Sequence, residues 1–124
     1  MPDVPGLSII VAGGDDQRFY GALETAMAAT ALGSPTRIFL QGEAVALLRE
    51  RVSATGDAPR EAAGMPSLAP MIEEATAMEV ELFVCQSGMA LVGLTAEEMV
   101  PQAKAAGLVS FLREVGAGDR LVVY

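Results

Sequence analysis

The sequence predicts a three-layer α/β/α sandwich on a parallel sheet, and two observations carry that prediction. Short apolar runs rich in β-branched residues alternate with segments whose apolar positions recur every three or four residues, the separate periods of buried strand and amphipathic helix. Parallel strands joined through helices require right-handed crossovers, which cover both faces of one sheet. The length of 124 residues and the 52% hydrophobic content are enough for one core without staples, so residues 1–124 are expected to form a single domain.

Residues 7–12, Leu-Ser-Ile-Ile-Val-Ala, read as a strand buried on both faces and ending at Gly13-Gly14. Phe19, Leu23, Ala26, Met27 and Thr30 then line one side of a helix, with Asp15 or Asp16 as its N-cap and Gly33 as its stop. Residues 36–40 are the second strand, and residues 43–52 a helix with Val45, Leu48 and Val52 on one face. Periodicity is lost over residues 53–65, which collect Gly56, Asp57, Pro59, Arg60 and Gly64 and read as a long surface loop, functional or mobile. Ser67 can cap a helix whose inward stripe is Leu68, Met71, Ile72 and Ala75, with Pro70 tolerated in the first turn. Residues 81–85 are the third strand.

A short helix over residues 87–92, stopped by Gly93, follows at once, and Thr95 with Glu98 forms a capping box for another short helix. Pro101 forces the chain toward extended geometry near Val100. Residues 102–105 read as helix by alanine content, but a fourth strand fits the alternation better, with Gly107 opening a helix through Leu108, Phe111, Leu112 and Val115. Residues 120–124 form a last strand. The result is a flavodoxin- or Rossmann-like sandwich, in which ligands bind outside the carboxyl ends of the strands. Gly13-Gly14, Gln41-Gly42 and Cys85-Gln86 fall at that edge.

Composition excludes several functions. Sixteen acidic against eight basic residues give a net charge of −8, and no Lys/Arg cluster offers the positive surface that phosphate binding to nucleic acid requires. No apolar run approaches the roughly 18 residues of a membrane span. The start, Met1-Pro2-Asp3-Val4-Pro5-Gly6, lacks the features of a secretory signal, so the expected compartment is cytoplasmic. The single cysteine agrees with a reducing compartment. With no histidine in the chain, no Cys-His or Ser-His pair and no His/Cys zinc set can be assembled. No metal and no cofactor is expected.

The residue with most chemical promise is Cys85, at the tip of the third strand with a helix starting directly after it. Unpaired N–H groups and the positive end of a helix dipole at that place favour thiolate, the reactive form. The competing reading is an inert packed thiol, since free cysteine is among the most buried residue types. Gly13-Gly14-Asp15-Asp16 resembles an anion-binding turn but lacks the spacing of dinucleotide and P-loop sites, and its two carboxylates repel phosphate. A tight turn with an N-cap is the preferred reading. Met65, Met71, Met78, Met89 and Met99 could suggest soft-metal binding, but their scatter argues for core filling. Lys104, the only lysine, lies either on a solvated surface, the preferred reading, or close enough to the carboxyl edge to lower the thiol pKa.

Over nearly its whole length the chain resembles the DsrE/DsrF-like family of small sulfur-relay proteins, most closely the branch with an A-C-x-x-S-M-x-x-x-G motif. Here Cys85, Met89 and Gly93 keep their places, Thr95 to Met99 matches an acidic stretch, and Gly107 to Leu112 matches a glycine-opened helix. Gly88 stands where that branch has Ser, and Gln41-Gly42-Glu43 replaces an aromatic-rich stretch. The resemblance implies a five-stranded parallel sheet, a homotrimer or homohexamer, sulfur donor and acceptor proteins as partners, and a cysteine that carries sulfur as a persulfide. That role falls to Cys85, with Gly13, Gly14, Gln86, Ser87 and Gly88 as substrate-binding residues. Gln86 and Ser87 would offer N–H groups, and Gly88 would permit close approach of the donor. The alternative is a non-catalytic oligomeric module that binds a ligand or partner at the same edge, with Cys85 structural. A thiol redox sensor is a third possibility.

Overall fold

The computed structural model describes residues 4–124; residues 1–3, the beginning of the stretch examined for signal features, lie outside the described residues. Five strands form one sheet: β1 Leu7–Ala12, β2 Thr36–Gln41, β3 Glu81–Cys85, β4 Ala103–Ala106 and β5 Arg120–Val123. Their order is β4-β3-β2-β1-β5, and every pairing is parallel. Five α-helices connect them: α1 Asp16–Ala31, α2 Asp57–Ala62, α3 Leu68–Ala77, α4 Gln86–Val92 and α5 Leu108–Arg113.

Alternation along the strands divides the apolar side chains between two faces. Ile9 and Val11 of β1, Ile38 and Leu40 of β2, and Leu82 and Val84 of β3 enter the larger core, where they meet Phe19 and Leu23 of α1 and Leu68 and Ile72 of α3. The intervening residues serve the other face. There Ile10, Phe39 and Phe111 form a small buried cluster, with Phe83, Cys85 and Ala106 packed against it. Phe111 is the one buried residue of α5. Thus the expected inward stripe of that helix reduces to a single ring: Leu108 and Leu112 are each 39% exposed, because six residues give under two turns of cover.

Three segments depart from the expected elements. The helix expected over residues 43–52 is instead a 3₁₀ segment, Gly42–Leu48. Ala44, Val45 and Leu48 are all fully buried, and at three residues per turn Val45 and Leu48 lie in line. Its continuation is captured elsewhere: Arg49 bridges antiparallel to Met99, and Val100 N–H donates to Leu48 C=O. The expected loop 53–65 contains α2 and is pinned. Arg60 Nη1 donates to Asp16 Oδ2 at 2.9 Å and lies 3.5 Å from Asp57 Oδ1, while its guanidinium stacks 4.0 Å above the Tyr20 ring. Finally, Ser67 precedes α3 without a side-chain cap bond. Asp57 Oδ1 accepts from Leu68 N–H instead.

The remaining local signals behave as their chemistry requires. Asp15 is the N-cap of α1, accepting from Gln17 N–H. Gly93 ends α4 with φ +66°, a left-handed conformation suited to glycine. Thr95 and Glu98 form the capping box, although the helix it starts is one 3₁₀ turn, Ala96–Glu98. Residues 102–105 resolve in favour of the strand, displaced by one residue to Ala103–Ala106.

Candidate functional site

Cys85 is both the last residue of β3 and the N-cap of α4. Parallel register places its strand tip beside Ala106 of β4, while Gln41 at the end of β2 and Ala12 at the end of β1 continue the same edge. The chain turns sharply after β1 and β2, at Gly13 with φ +90° and Gly42 with φ +58°. These left-handed glycines let the backbone leave the sheet without closing over its edge. The resulting cavity, of about 630 Å³, is walled by residues 12–13, 41–42, 85–87 and 107–108.

Cys85 is half-buried, and its Sγ lies 3.0 Å from Ser87 Oγ in an exposed contact. Burial by itself raises the Cys85 thiol pKa. The hydrogen bond from the Ser87 hydroxyl and those from the N–H groups of Gly88 and Ser87 outweigh that effect, so the thiol titrates below its ordinary value. These donors all favour the anion. No cation contributes: Lys104 pairs in register with Phe83, two residues upstream of Cys85, and is exposed on a cavity wall with Glu73 and Glu79.

Of the residues expected to bind substrate, Gly13, Gln86 and Ser87 line the cavity with Cys85; Gly14 and Gly88 do not. Gly14 sits against Glu43. Gly88 is buried, and a Cβ there would stand 2.7 Å from Val45 Cγ2 and 3.0 Å from Gly42 O. Its missing side chain therefore admits the 3₁₀ segment, leaving only its N–H to the sulfur. The carboxylates of Asp15 and Asp16 do not converge, since Asp15 caps α1 and Asp16 is held by Arg60 and Thr55. Met71 and Met99 are buried in the larger core, Met89 packs against it, and Met65 is 40% exposed. Sequence reasoning did not single out Gly107 and Leu108 as part of the wall; a glycine directly after a strand was the available signal.

Among the described residues, no three His, Cys, Asp or Glu side chains are grouped so as to hold a metal ion. No described helix is long and apolar enough to cross a membrane. A second cavity, of about 520 Å³, lies under α5 around Arg37, away from the sulfur. Arg37 Nη2 donates to Ser8 Oγ and to Phe111 C=O, and the guanidinium stacks 4.2 Å above the Phe111 ring.

The model of the DsrE/DsrF-like family matches residues 7–124, which includes all five strands and the cavity. The chain belongs to the DsrE/DsrF-like family. Two solved structures share the fold of this DsrE/DsrF-like chain. The crystal structure of the E. coli protein YchN superposes with a TM-score of 0.76 at 19% identity, covering 98% of this chain and 100% of that one. The protein of unknown function MTH1491 from Methanobacterium thermoautotrophicum gives 0.71 at 13% identity, with 98% and 100% covered. No curated protein matches the chain.

Proposed function

We propose that this protein is a sulfur carrier that holds sulfane sulfur as a persulfide on Cys85 and passes it to a partner thiol. The DsrE/DsrF-like family suggests a sulfur-relay role, and one observation in the site carries the finer reading. The only sulfur nucleophile faces a cavity at the carboxyl edge of the sheet, 3.0 Å from a hydroxyl and within reach of two backbone N–H donors.

In the loading step the Cys85 thiolate attacks the terminal sulfur of a donor R–S–SH. A new S–S bond forms at Cys85, the donor's S–S bond breaks, and R–S⁻ departs, so no external oxidant is required. Transfer to an acceptor thiolate repeats the exchange in the other direction. With no histidine in the chain, the barrier is lowered by stabilising sulfur anions and by docking rather than by an imidazole base. The partners are sulfur donor and acceptor proteins. Self-association fits the apolar side chains left in solvent near α5 and β5, where Val109 is 72% and Val123 64% exposed.

The test is intact-mass spectrometry after incubation with a sulfane-sulfur donor. Gain of one sulfur atom, absent in Cys85→Ala, is the expected result. No gain by the folded wild type would favour the binding-module reading, and gain of oxygen from peroxide alone would favour a redox sensor.

A further inference from the structure

We propose that the cavity under α5 is a second ligand site, built for a small zwitterion with an apolar body, of the class of an apolar or aromatic α-amino acid. It lies at the amino end of β1, β2 and β3 and shares no wall residue with the Cys85 cavity. Its volume, about 520 Å³, falls within the roughly 300–1,000 Å³ of small-molecule sites. Three paired positions cross it. Ser8 of β1 stands in register with Arg37 of β2, and Arg37 with Glu81 of β3; paired residues of parallel strands share one face, on strands about 4.8 Å apart. Opposite charges thus stand on neighbouring strands of one cavity without being joined. Arg37 turns toward β1 and α5, where Nη2 donates to Ser8 Oγ and Phe111 C=O and the guanidinium stacks on the Phe111 ring. Among the described residues Arg37 makes no ion pair, and its Nε and Nη1 donate to no protein acceptor.

The two ends of the cavity place opposite demands on a ligand. Donors stand at the inner end: Ser8 is 2% exposed, its Oγ accepts from Arg37, and its own hydroxyl proton meets no acceptor among the described residues. A guanidinium with open N–H groups beside such a buried hydroxyl suits a carboxylate. Acceptors stand at the mouth. Glu81 and Glu114 are exposed on the wall and bond to no described partner, whereas Asp119 is committed, its two oxygens accepting from the N–H groups of Gly6 and Gly116. Two open carboxylates suit an ammonium. Leu7, Phe83 and Phe111 give the same wall an apolar surface for the body of the ligand. A plain anion would face Glu81 and Glu114, and a plain cation would face Arg37; a zwitterion answers both charges.

The experiment is isothermal titration calorimetry of the full chain with L-phenylalanine and L-leucine, and with two analogues of the first that each lack one charge, phenethylamine and 3-phenylpropionate. At least one of the two amino acids should bind saturably at one site per chain. Each analogue should bind at least about tenfold more weakly than L-phenylalanine, because it leaves a charged group of the wall without its partner. The double variant Glu81→Gln, Glu114→Gln, at two exposed positions, should weaken L-phenylalanine by about tenfold and leave 3-phenylpropionate no weaker. Arg37→Met should remove the advantage of L-phenylalanine over phenethylamine; if that variant does not fold, the glutamine variant and the analogues decide alone. Cys85→Ala should bind like the wild type, since the two cavities share no wall. Absence of saturable binding at millimolar concentrations of both amino acids would overturn the site, as would an analogue as tight as L-phenylalanine or an affinity unchanged in the glutamine variant.

Discussion

Gly88 offers the sharpest test of how the site is built, because two opposing effects of known size meet at one atom. Replacing glycine by alanine inside a helix ordinarily stabilises it by about 1 kcal/mol. Here the added Cβ would stand 2.7 Å from Val45 Cγ2, 3.0 Å from Gly42 O and 3.1 Å from Gly42 N. Two of those neighbours are backbone, at a turn with φ +58°, and Val45 is fully buried, so none can simply rotate away. Overpacking of this kind costs roughly 1–3 kcal/mol, and contact with main chain belongs at the upper end. Gly88→Ala should therefore be destabilised by about 1–2 kcal/mol net. In urea unfolding of the full chain that appears as a midpoint lower by roughly 1 M with an unchanged slope. Val45→Ala in the same chain should show a favourable coupling of at least about 0.5 kcal/mol, since it removes the shortest of the three contacts. Gly88→Ser, which restores the serine of the related motif, should be worse than Gly88→Ala because it also buries a hydroxyl. A Gly88→Ala protein as stable as the wild type, or more so, would refute the claim that close packing of α4 on the 3₁₀ segment dictates this glycine.

Ser87→Ala should move thiol titration upward, toward the ordinary cysteine value, because it removes a donor to the anion; the pH profile of alkylation by iodoacetamide reads this directly, and an unchanged profile would remove Ser87 from the site. Arg60→Met should destabilise the fold by about 3 kcal/mol in thermal or urea unfolding, since it leaves Asp16, 7% exposed, without its cation. The acid limb of stability should change with it. Burial raises the Asp16 carboxyl, but the hydrogen bond and charge of Arg60, the Thr55 hydroxyl and the Gly56 N–H lower it further than burial raises it. A lowered carboxyl contributes stability above its unfolded pKa of about 3.9, and that contribution disappears as pH falls through the folded value. Comparing urea midpoints of wild type and Arg60→Met between pH 2 and 7 should show a smaller loss on acidification in the variant.

The sheet was legible because its strands are bounded by local chemistry. A β-branched run closed by Gly13 and helices closed by Gly33 and Gly93 leave little freedom in where elements begin and end, and alternation alone decided for β4 against its alanine-rich composition. Cys85 was legible for the same reason, since a strand tip followed directly by a helix needs no distant residue to define it. What escaped were structures decided by contacts far along the chain. Nothing near residues 43–52 signals that Arg49 will pair with Met99, and nothing near Arg60 signals Asp16, 44 positions away. Gly88 shows the same effect at the site itself: its flexibility suggested room for a donor, whereas its partner is the 3₁₀ segment that follows β2.

Cys85 packs against both apolar clusters, and on the thinner side of the sheet the one buried residue of α5 is Phe111. Opening that six-residue element should uncover the thinner-side flank of Cys85 while its contacts with the larger core persist. Reactivity toward bulky electrophiles and resistance to global unfolding should then follow separate cooperative units. Amide exchange over Leu108–Arg113 should track the first, and exchange over α1 the second.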